Sequence, residues 1–135
     1  MARAKKEQPE FELQKQVCQY LRLQYPNVLF MTDTIAAVKL TIPQGVRNKS
    51  VQKEGFKCPD LLVFEKRENY GGLFLELKVE TPFKKDGQIK ASQNDHLHLQ
   101  NETLKDLRKK GYYALFAWTF EMCKEYIDCY LKMSK

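Results

Sequence analysis

The sequence of 135 residues has no long hydrophobic run and no cysteine pattern that defines a metal or disulfide site. No apolar stretch approaches the roughly 18 residues that a membrane-spanning helix requires. The basic first residues are not followed by the apolar segment of a secretory signal. The four cysteines form no C-x-x-C pair and have no histidine at zinc-ligand spacing. We therefore expect a cytoplasmic protein with free thiols, without a membrane anchor, a disulfide framework or a zinc finger.

The sequence also has no low-complexity linker and no internal repeat. Its length corresponds to one domain. A content of 43% hydrophobic and 12% aromatic residues is too apolar for a disordered segment. We predict a basic N-terminal tail over residues 1–8 and a single domain over residues 9–135.

Positive charge exceeds negative charge, with 23 lysines and arginines against 17 aspartates and glutamates and a net charge of +6. The basic residues form four groups: Arg3, Lys5 and Lys6; Arg47, Lys49, Lys53 and Lys57; Lys84, Lys85 and Lys90; and Arg108, Lys109 and Lys110. A solvated loop or helix end explains any one group, but four together favour a nucleic acid partner. We expect Lys49, Lys53, Lys84 and Lys85 to bind it.

Hydrophobic periodicity and turn residues predict a mixed α/β fold. The predicted helices span residues 9–24, 92–110 and 120–133. The predicted strands span residues 28–31, 61–65, 73–79 and 113–118. Pro9 suits a first helical turn, and Gly111 is a natural helix end. The turn residues Asn69-Tyr70-Gly71-Gly72 predict that the second and third strands form a hairpin.

The segment between Asp33 and Pro59 has the weakest pattern. Residues 35–42 could form another strand, while residues 46–54 are polar and basic, so we predict a loop there with at most one helical turn. The predicted order is therefore α-β-β-β-α-β-α. This order corresponds to a mixed central sheet of about four strands with helices packed on it.

Charged residues stand in or beside two hydrophobic strands. Asp60 follows Pro59 at the start of one strand, and Glu76 and Lys78 lie within the next strand. Because side chains alternate along a strand, Glu76 and Lys78 share a face. If the two strands pair as a hairpin, Asp60 lies close to both.

Two carboxylates and an ammonium at one place favour a metal-dependent hydrolytic site. Neighbouring carboxylates repel, and their burial is costly unless a positive charge lies between them. Mg²⁺ or Mn²⁺ meets that need, and Lys78 could orient a water or neutralise a phosphate oxygen. A solvent-facing Glu–Lys pair would explain Glu76 and Lys78 alone, but it does not explain Asp60 one strand earlier.

Cys58-Pro59-Asp60 followed by Glu76-Leu77-Lys78 resembles the PD-(D/E)XK nuclease signature. The flanks resemble its VRR-NUC branch, in the compact form of phage and prophage proteins. They are Glu10-Phe11-Glu12-Leu13-Gln14, Arg22-Leu23-Gln24-Tyr25-Pro26, and Gln100 with Leu104, Leu107 and Gly111-Tyr112-Tyr113-Ala114. The resemblance covers residues 10–131. It implies a restriction-endonuclease-like fold and a metal-dependent, structure-selective DNA endonuclease.

The resemblance also implies site residues and a cofactor, Mg²⁺ or Mn²⁺. The catalytic set is Asp60, Glu76, Lys78 and Gln100; the metal ligands are Glu10, Asp60, Glu76 and the backbone carbonyl of Leu77; and Gln14 joins the DNA-binding lysines. Three alternatives stay open. Glu12 could replace Glu10, Gln93 could replace Gln100, and His96, one turn before Gln100, could lie in the site.

For a compact member of this branch we expect branched DNA as substrate, cut in the manner of a Holliday-junction resolvase. A homodimer would match the two-fold symmetry of such a junction, with a dimer surface on the last helix or residues 33–45. We expect no membrane and no small-molecule cofactor, and the host cytoplasm if the protein is phage-encoded. The alternatives are a nicking, flap or 3′-end nuclease, and a non-catalytic or partner-activated DNA-binding module.

Overall fold

A computed structural model describes residues 9–33 and 39–135 of the chain. The helices are α1 (Pro9–Gln24), α2 (Ile42–Ser50), α3 (His96–Lys109) and α4 (Phe120–Leu131), and the strands are β1 (Phe30–Thr32), β2 (Leu61–Val63), β3 (Leu73–Leu77) and β4 (Tyr113–Ala117). A 3₁₀ turn, Gln93–Asp95, precedes α3. The four strands form one sheet in the order β1-β2-β3-β4. The β1–β2 and β2–β3 pairs are antiparallel and the β3–β4 pair is parallel, which confirms the predicted mixed α/β class.

The two faces of the sheet carry different cores. One face packs on α1 and α4, and its buried residues are Leu13, Val17, Leu21, Leu61, Val63, Leu73, Leu75, Leu77, Ala117, Cys123, Ile127, Tyr130 and Leu131. The other face packs on α3 through a smaller cluster of Leu104, Ala114 and Phe116, joined by the partly buried Phe74. Because β3 is pleated, its odd-numbered leucines enter the large core, while Phe74 and Glu76 face α3.

The helix α1 has the bounds that its sequence predicts. Pro9 occupies the first helical position, where its missing N–H costs nothing. Glu10 and Glu12 lie in the first turn, where their charges interact favourably with the helix dipole. Leu13, Val17 and Leu21 recur at intervals of one turn and are buried. The helix is therefore held by one apolar stripe against β3 and α4.

The prediction of a loop at residues 46–54 is wrong for residues 46–50, which belong to the nine-residue helix α2, and is confirmed for residues 51–54. Its start is fixed by a capping box: Thr41 Oγ1 accepts a hydrogen bond from Gln44 N at 3.3 Å, and Gln44 Oε1 accepts one from Thr41 N at 2.9 Å. No residue of α2 is buried. Ile42 and Val46 lie one turn apart on α2 but are both exposed, so the helix has no buried apolar stripe, and two apolar residues are too few to predict a helix from sequence.

Two predictions concern residues outside the described ranges. These are the basic tail over residues 1–8 and the first half, residues 35–38, of the possible strand over residues 35–42. In its second half, residues 39–41 are not in a strand and Ile42 begins α2. The four observed strands, β1 to β4, overlap the predicted strands but are shorter or shifted, because pairing with a neighbour sets where a strand ends. Within residues 9–33 and 39–135, none of the helices has both the length and the apolar composition to cross a membrane.

Candidate active site

The β2–β3 hairpin brings Asp60 and Glu76 together at one end of the sheet. Leu61 pairs with Leu75 in the antiparallel register, so Asp60 and Glu76, each one residue further, lie opposite each other. Asp60 Oδ2 accepts a hydrogen bond from the backbone N–H of Leu77 at 2.8 Å. This bond fixes the Asp60 carboxylate against the end of β3.

The helix α3 covers Glu76 from the second face of the sheet. Glu76 is 4% exposed, and its Oε1 accepts a hydrogen bond from Nε2 of Gln100 at 2.9 Å. Gln100 is itself 7% exposed, and its Nε2 also lies 3.1 Å from Nε2 of His96, one helical turn earlier. The structure thus places Gln100 and His96 beside the carboxylate pair, whereas Gln93 is exposed in the 3₁₀ turn.

Both carboxylates of the pair bind protons more tightly than usual. Burial raises the pKa of Glu76 well above its ordinary value, and the Asp60 carboxylate raises it further, while the Lys78 ammonium opposes them. Burial also raises the pKa of Asp60, although the hydrogen bond from Leu77 N–H lowers it. The pair therefore lies in a poorly solvated place with too little positive charge for two ionised carboxylates.

The first turn of α1 lies within electrostatic reach of this pair. Gln14 Nε2 donates a long hydrogen bond, 3.4 Å, to the backbone carbonyl of Asp60, which ties α1 to the start of β2. Partial burial raises the pKa of Glu10, and the nearby Lys78 and Asp60 charges act on it in opposite directions. Glu12 Oε1 is buried and has no hydrogen-bond partner in the described part of the chain.

The Asp60–Glu76 pair has the donor chemistry of a site for a hard divalent cation. Carboxylate oxygens are the ligands that Mg²⁺ and Mn²⁺ prefer, and a cation would relieve the repulsion that raises both pKa values. Within residues 9–33 and 39–135, no group of three or more His, Cys, Asp or Glu side chains is arranged to hold a metal. The described residues therefore assemble a carboxylate pair, with Glu10 as a nearby third group.

Two lysines contribute positive charge at this end of the sheet. Lys78 N donates to the Ala117 carbonyl at 2.9 Å, which fixes the point where its side chain leaves the backbone. Lys57 has no predicted site role, although it belongs to a basic group and lies three residues before Asp60. Lys57 N donates to Thr103 Oγ1 at 3.1 Å, and this tertiary contact, which no sequence pattern reveals, holds the residue against α3.

The four predicted DNA-binding lysines lie on two exposed elements. Lys49 is on α2 and Lys53 follows it. Lys84 and Lys85 occupy the turn of a small hairpin in which Phe83 bridges to Ile89 and Lys84 N donates to the Gln88 carbonyl at 2.7 Å. All four lysines are exposed, so their charges are available to a partner.

Comparison with known proteins gives one finding about the fold. No family model and no curated protein matches the chain. Among solved structures, the chain is similar to one described as a "VRR_NUC domain protein", with a TM-score of 0.61 and 22% sequence identity over 96% of this chain and 93% of that chain. The resemblance predicted from the PD and ELK motifs is thus confirmed at the level of architecture: the chain has the fold of a VRR_NUC domain protein.

Proposed function

We propose that the chain is a metal-dependent DNA endonuclease that hydrolyses phosphodiester bonds in branched DNA. The observation that carries the proposal is the Asp60–Glu76 pair at the end of two adjacent strands, within the electrostatic influence of Lys78. The similar solved structure is described as a VRR_NUC domain protein, which supports a nuclease-type function for this fold. A site of buried, mutually repelling carboxylates is also typical of functional rather than structural positions.

Asp60 and Glu76 would hold Mg²⁺ or Mn²⁺ together with the backbone carbonyl of Leu77, and Glu10 would complete the shell from α1. When bound, such a cation supplies Lewis-acid polarisation of the phosphate and a lower pKa for an attacking water. The hydrogen bond from Leu77 N–H to Asp60 Oδ2 restricts the orientation of this carboxylate. The bond from Gln100 does the same for Glu76.

The side chains of Lys78 and Gln100 would act on water and phosphate. The Lys78 ammonium donates hydrogen bonds to the attacking water or to a non-bridging phosphate oxygen, where it offsets the negative charge that develops. Gln100 Oε1 accepts a hydrogen of the same water. The water oxygen forms a bond to phosphorus, one ester P–O bond breaks, the released proton passes to solvent and the leaving oxygen takes up a proton.

The substrate assignment depends on charge and symmetry. The net charge of +6 and the exposed lysines of α2 and the 83–89 hairpin would bind the DNA backbone, with Gln14 near the site. A homodimer would present two such sites related by a two-fold axis, which matches the symmetry of a four-way junction. We therefore expect Holliday-type junctions to be cut in preference to other DNA shapes.

A cleavage assay tests the proposal. Labelled four-way junction, flap, duplex and single-stranded DNA would each be incubated with Mg²⁺, Mn²⁺ or EDTA. Glu76→Ala would be compared with the wild type, and Glu102→Ala on the exposed side of α3 serves as the matched carboxylate control. We expect paired symmetric cuts in the junction that disappear in EDTA and in Glu76→Ala but persist in the control.

Each other outcome changes a defined part of the proposal. Cleavage of flaps or ends alone would retain the chemistry and overturn the junction preference. Cleavage that survives Glu76→Ala would overturn the site. Tight DNA binding without cleavage on any substrate would overturn the enzymatic function in favour of a binding module or a partner-activated subunit.

A further inference from the structure

Gln100 makes both of its hydrogen bonds through one atom, Nε2. This nitrogen donates to Glu76 Oε1 at 2.9 Å and lies 3.1 Å from His96 Nε2. A primary amide has two hydrogens, so the two contacts use both. The remaining polar atom, Gln100 Oε1, is buried and has no hydrogen-bond partner among the described residues.

The hydrogen-bond network favours one orientation of the Gln100 amide when Glu76 is ionised, which is the form that would hold a cation. An ionised carboxylate can only accept, so it pairs with Nε2 as described and not with Oε1. In the described orientation His96 must accept through Nε2, which requires a neutral ring with its proton on Nδ1. Partial burial and the charges of Lys78 and Lys57 lower the pKa of His96, which favours this neutral ring.

We propose that His96 is a positioning residue that holds the Gln100 amide so that Oε1 is presented to the attacking water. The inference rests on the proposed nuclease function, and it assigns no contact between His96 and the reacting atoms. His96 accepts the second hydrogen of Nε2, and Glu76 accepts the first. With both hydrogens engaged, rotation of the amide would break two hydrogen bonds, and Oε1 is the atom of this amide that stays available to a ligand.

Gln100 Oε1, which is buried without a hydrogen-bond partner among the described residues, points to a ligand independently of the two contacts of Nε2. A buried carbonyl oxygen without a donor is unfavourable, so a native structure that retains one usually supplies a donor in its working state. In the proposed reaction that donor is the attacking water. Without the acceptor on His96, the second Nε2 hydrogen has no partner, and the amide gains freedom to turn Oε1 away from the water.

The test compares His96→Leu, which removes the acceptor, with His96→Gln, which can accept through its own amide oxygen. His98→Leu is the matched control, because His98 is exposed on the same helix as the likewise exposed His96 but makes no hydrogen bond to Gln100. We expect His96→Leu to lower kcat on the cleaved substrate by about 10–100-fold with little change in KM, since it misplaces a group rather than removing a binding contact. His96→Gln should restore part of the rate, and His98→Leu should cut as the wild type does.

A double-mutant cycle separates positioning from other roles. If His96 acts through Gln100, then His96→Leu has no further effect in a Gln100→Ala background. Multiplied losses in the double variant would show that the two residues act independently and would overturn the inference. A normal rate for His96→Leu, or an equal loss in His98→Leu, would overturn it as well.

A measurement without catalysis distinguishes failure of this inference from failure of the proposed function. The side-chain amide protons of Gln100 are observable by NMR in ¹⁵N-labelled protein. We expect slow exchange with solvent and shifts displaced from those of a free glutamine amide in the wild type and in His96→Gln, and faster exchange with shifts closer to the free values in His96→Leu. If no DNA is cut but these signals behave as expected, the nuclease proposal fails and the positioning contact stands. Unchanged amide signals in His96→Leu would overturn the contact itself.

Discussion

Asp128 and Glu76 are two carboxylates whose surroundings act on them in opposite directions. Asp128 lies on α4, and its Oδ1 accepts hydrogen bonds from the hydroxyls of Tyr20 at 2.5 Å and Tyr25 at 2.6 Å. Burial tends to raise the pKa of Asp128, but the two tyrosine hydrogen bonds and the charges of Lys132 and Lys124 together outweigh it, so its pKa lies below the ordinary value. The ionised carboxylate therefore stabilises the contact between α1 and α4.

Glu76 has one donor, the amide of Gln100, and a second carboxylate, Asp60, as its neighbour. Its burial is more complete, and its pKa is raised rather than lowered. The fold keeps this carboxylate buried although ionisation there is unfavourable. Lys78 reduces the penalty without removing it.

The pKa values of Asp128 and Glu76 differ because the two carboxylates have different numbers of hydrogen-bond donors and different neighbouring charges. Two hydroxyl donors and two nearby lysines favour the charged form of Asp128, which is what a structural contact requires. One donor and a carboxylate neighbour leave Glu76 short of positive charge, which is typical of sites that bind a cation or do chemistry. The Asp128 contact thus stabilises the packing of α1 on α4, and the surroundings of Glu76 are consistent with the chemistry proposed for the end of β3.

The largest effect is expected for Glu76→Gln. Glutamine keeps the size of the side chain and can accept from Gln100, but it removes the charge that repels Asp60. Cleavage should fall by about 10²–10³-fold or more, because a cation ligand is lost. In EDTA the variant should be more stable than the wild type by about 1–3 kcal/mol, as measured by thermal and urea unfolding.

Adding Mg²⁺ or Mn²⁺ extends the stability comparison between the wild type and Glu76→Gln. A cation that binds only the folded wild type should raise its Tm in proportion to the logarithm of the metal concentration. The Glu76→Gln variant should lose most of that response. A variant that is less stable than the wild type in EDTA would show that Glu76, like Asp128, is a structural contact, and the comparison would fail.

A smaller effect of opposite sign is expected for Tyr25→Phe. The substitution removes one of the two donors to Asp128 and should lower the free energy of unfolding at pH 7 by about 1–2 kcal/mol. Because the folded-state pKa of Asp128 is depressed, its contribution is present above the unfolded pKa and is lost as the pH falls through the folded pKa. Urea unfolding at pH 7 and near pH 3 should therefore show a difference that shrinks in acid.

Tyr126→Phe is the matched control for Tyr25→Phe. Tyr126 is a half-buried tyrosine on α4 whose hydroxyl makes no hydrogen bond in residues 9–33 and 39–135. It should change stability by less than about 0.5 kcal/mol at either pH. A difference between Tyr25→Phe and the wild type that stays constant with pH would place the effect in packing rather than in the charge of Asp128.

The Glu76 site could be predicted from sequence because its geometry is local. A short hairpin fixes the register of β2 and β3, and alternation along β3 then places Glu76 opposite Asp60. Local sequence patterns likewise predicted α1, from the spacing of its apolar residues, and the pairing of β2 with β3, from the turn residues between them. Gln100 required the family resemblance, because its contact with Glu76 depends on how α3 crosses the sheet.

The Asp128 site could not be predicted in this way. Its two tyrosines are about a hundred residues away in sequence and meet it only when α1 packs on α4. The contact between Lys57 and Thr103 depends on tertiary packing in the same manner. The helix α2 was missed for another reason: it buries nothing, so only its Thr41–Gln44 capping box marks it.

Glu102→Gln is expected to change stability least and is the reference against which Glu76→Gln and Tyr25→Phe are judged. Glu102 Oε1 lies 3.3 Å from Lys105 Nζ on the surface of α3, and the side chains are 45% and 50% exposed. Such a pair contributes little, so the free energy of unfolding should change by less than about 0.5 kcal/mol, and less again in high salt. The substitution removes the same charge as Glu76→Gln and raises the net positive charge equally. If both variants shifted Tm in EDTA by the same amount, the gain in Glu76→Gln would come from net charge rather than from the buried pair with Asp60.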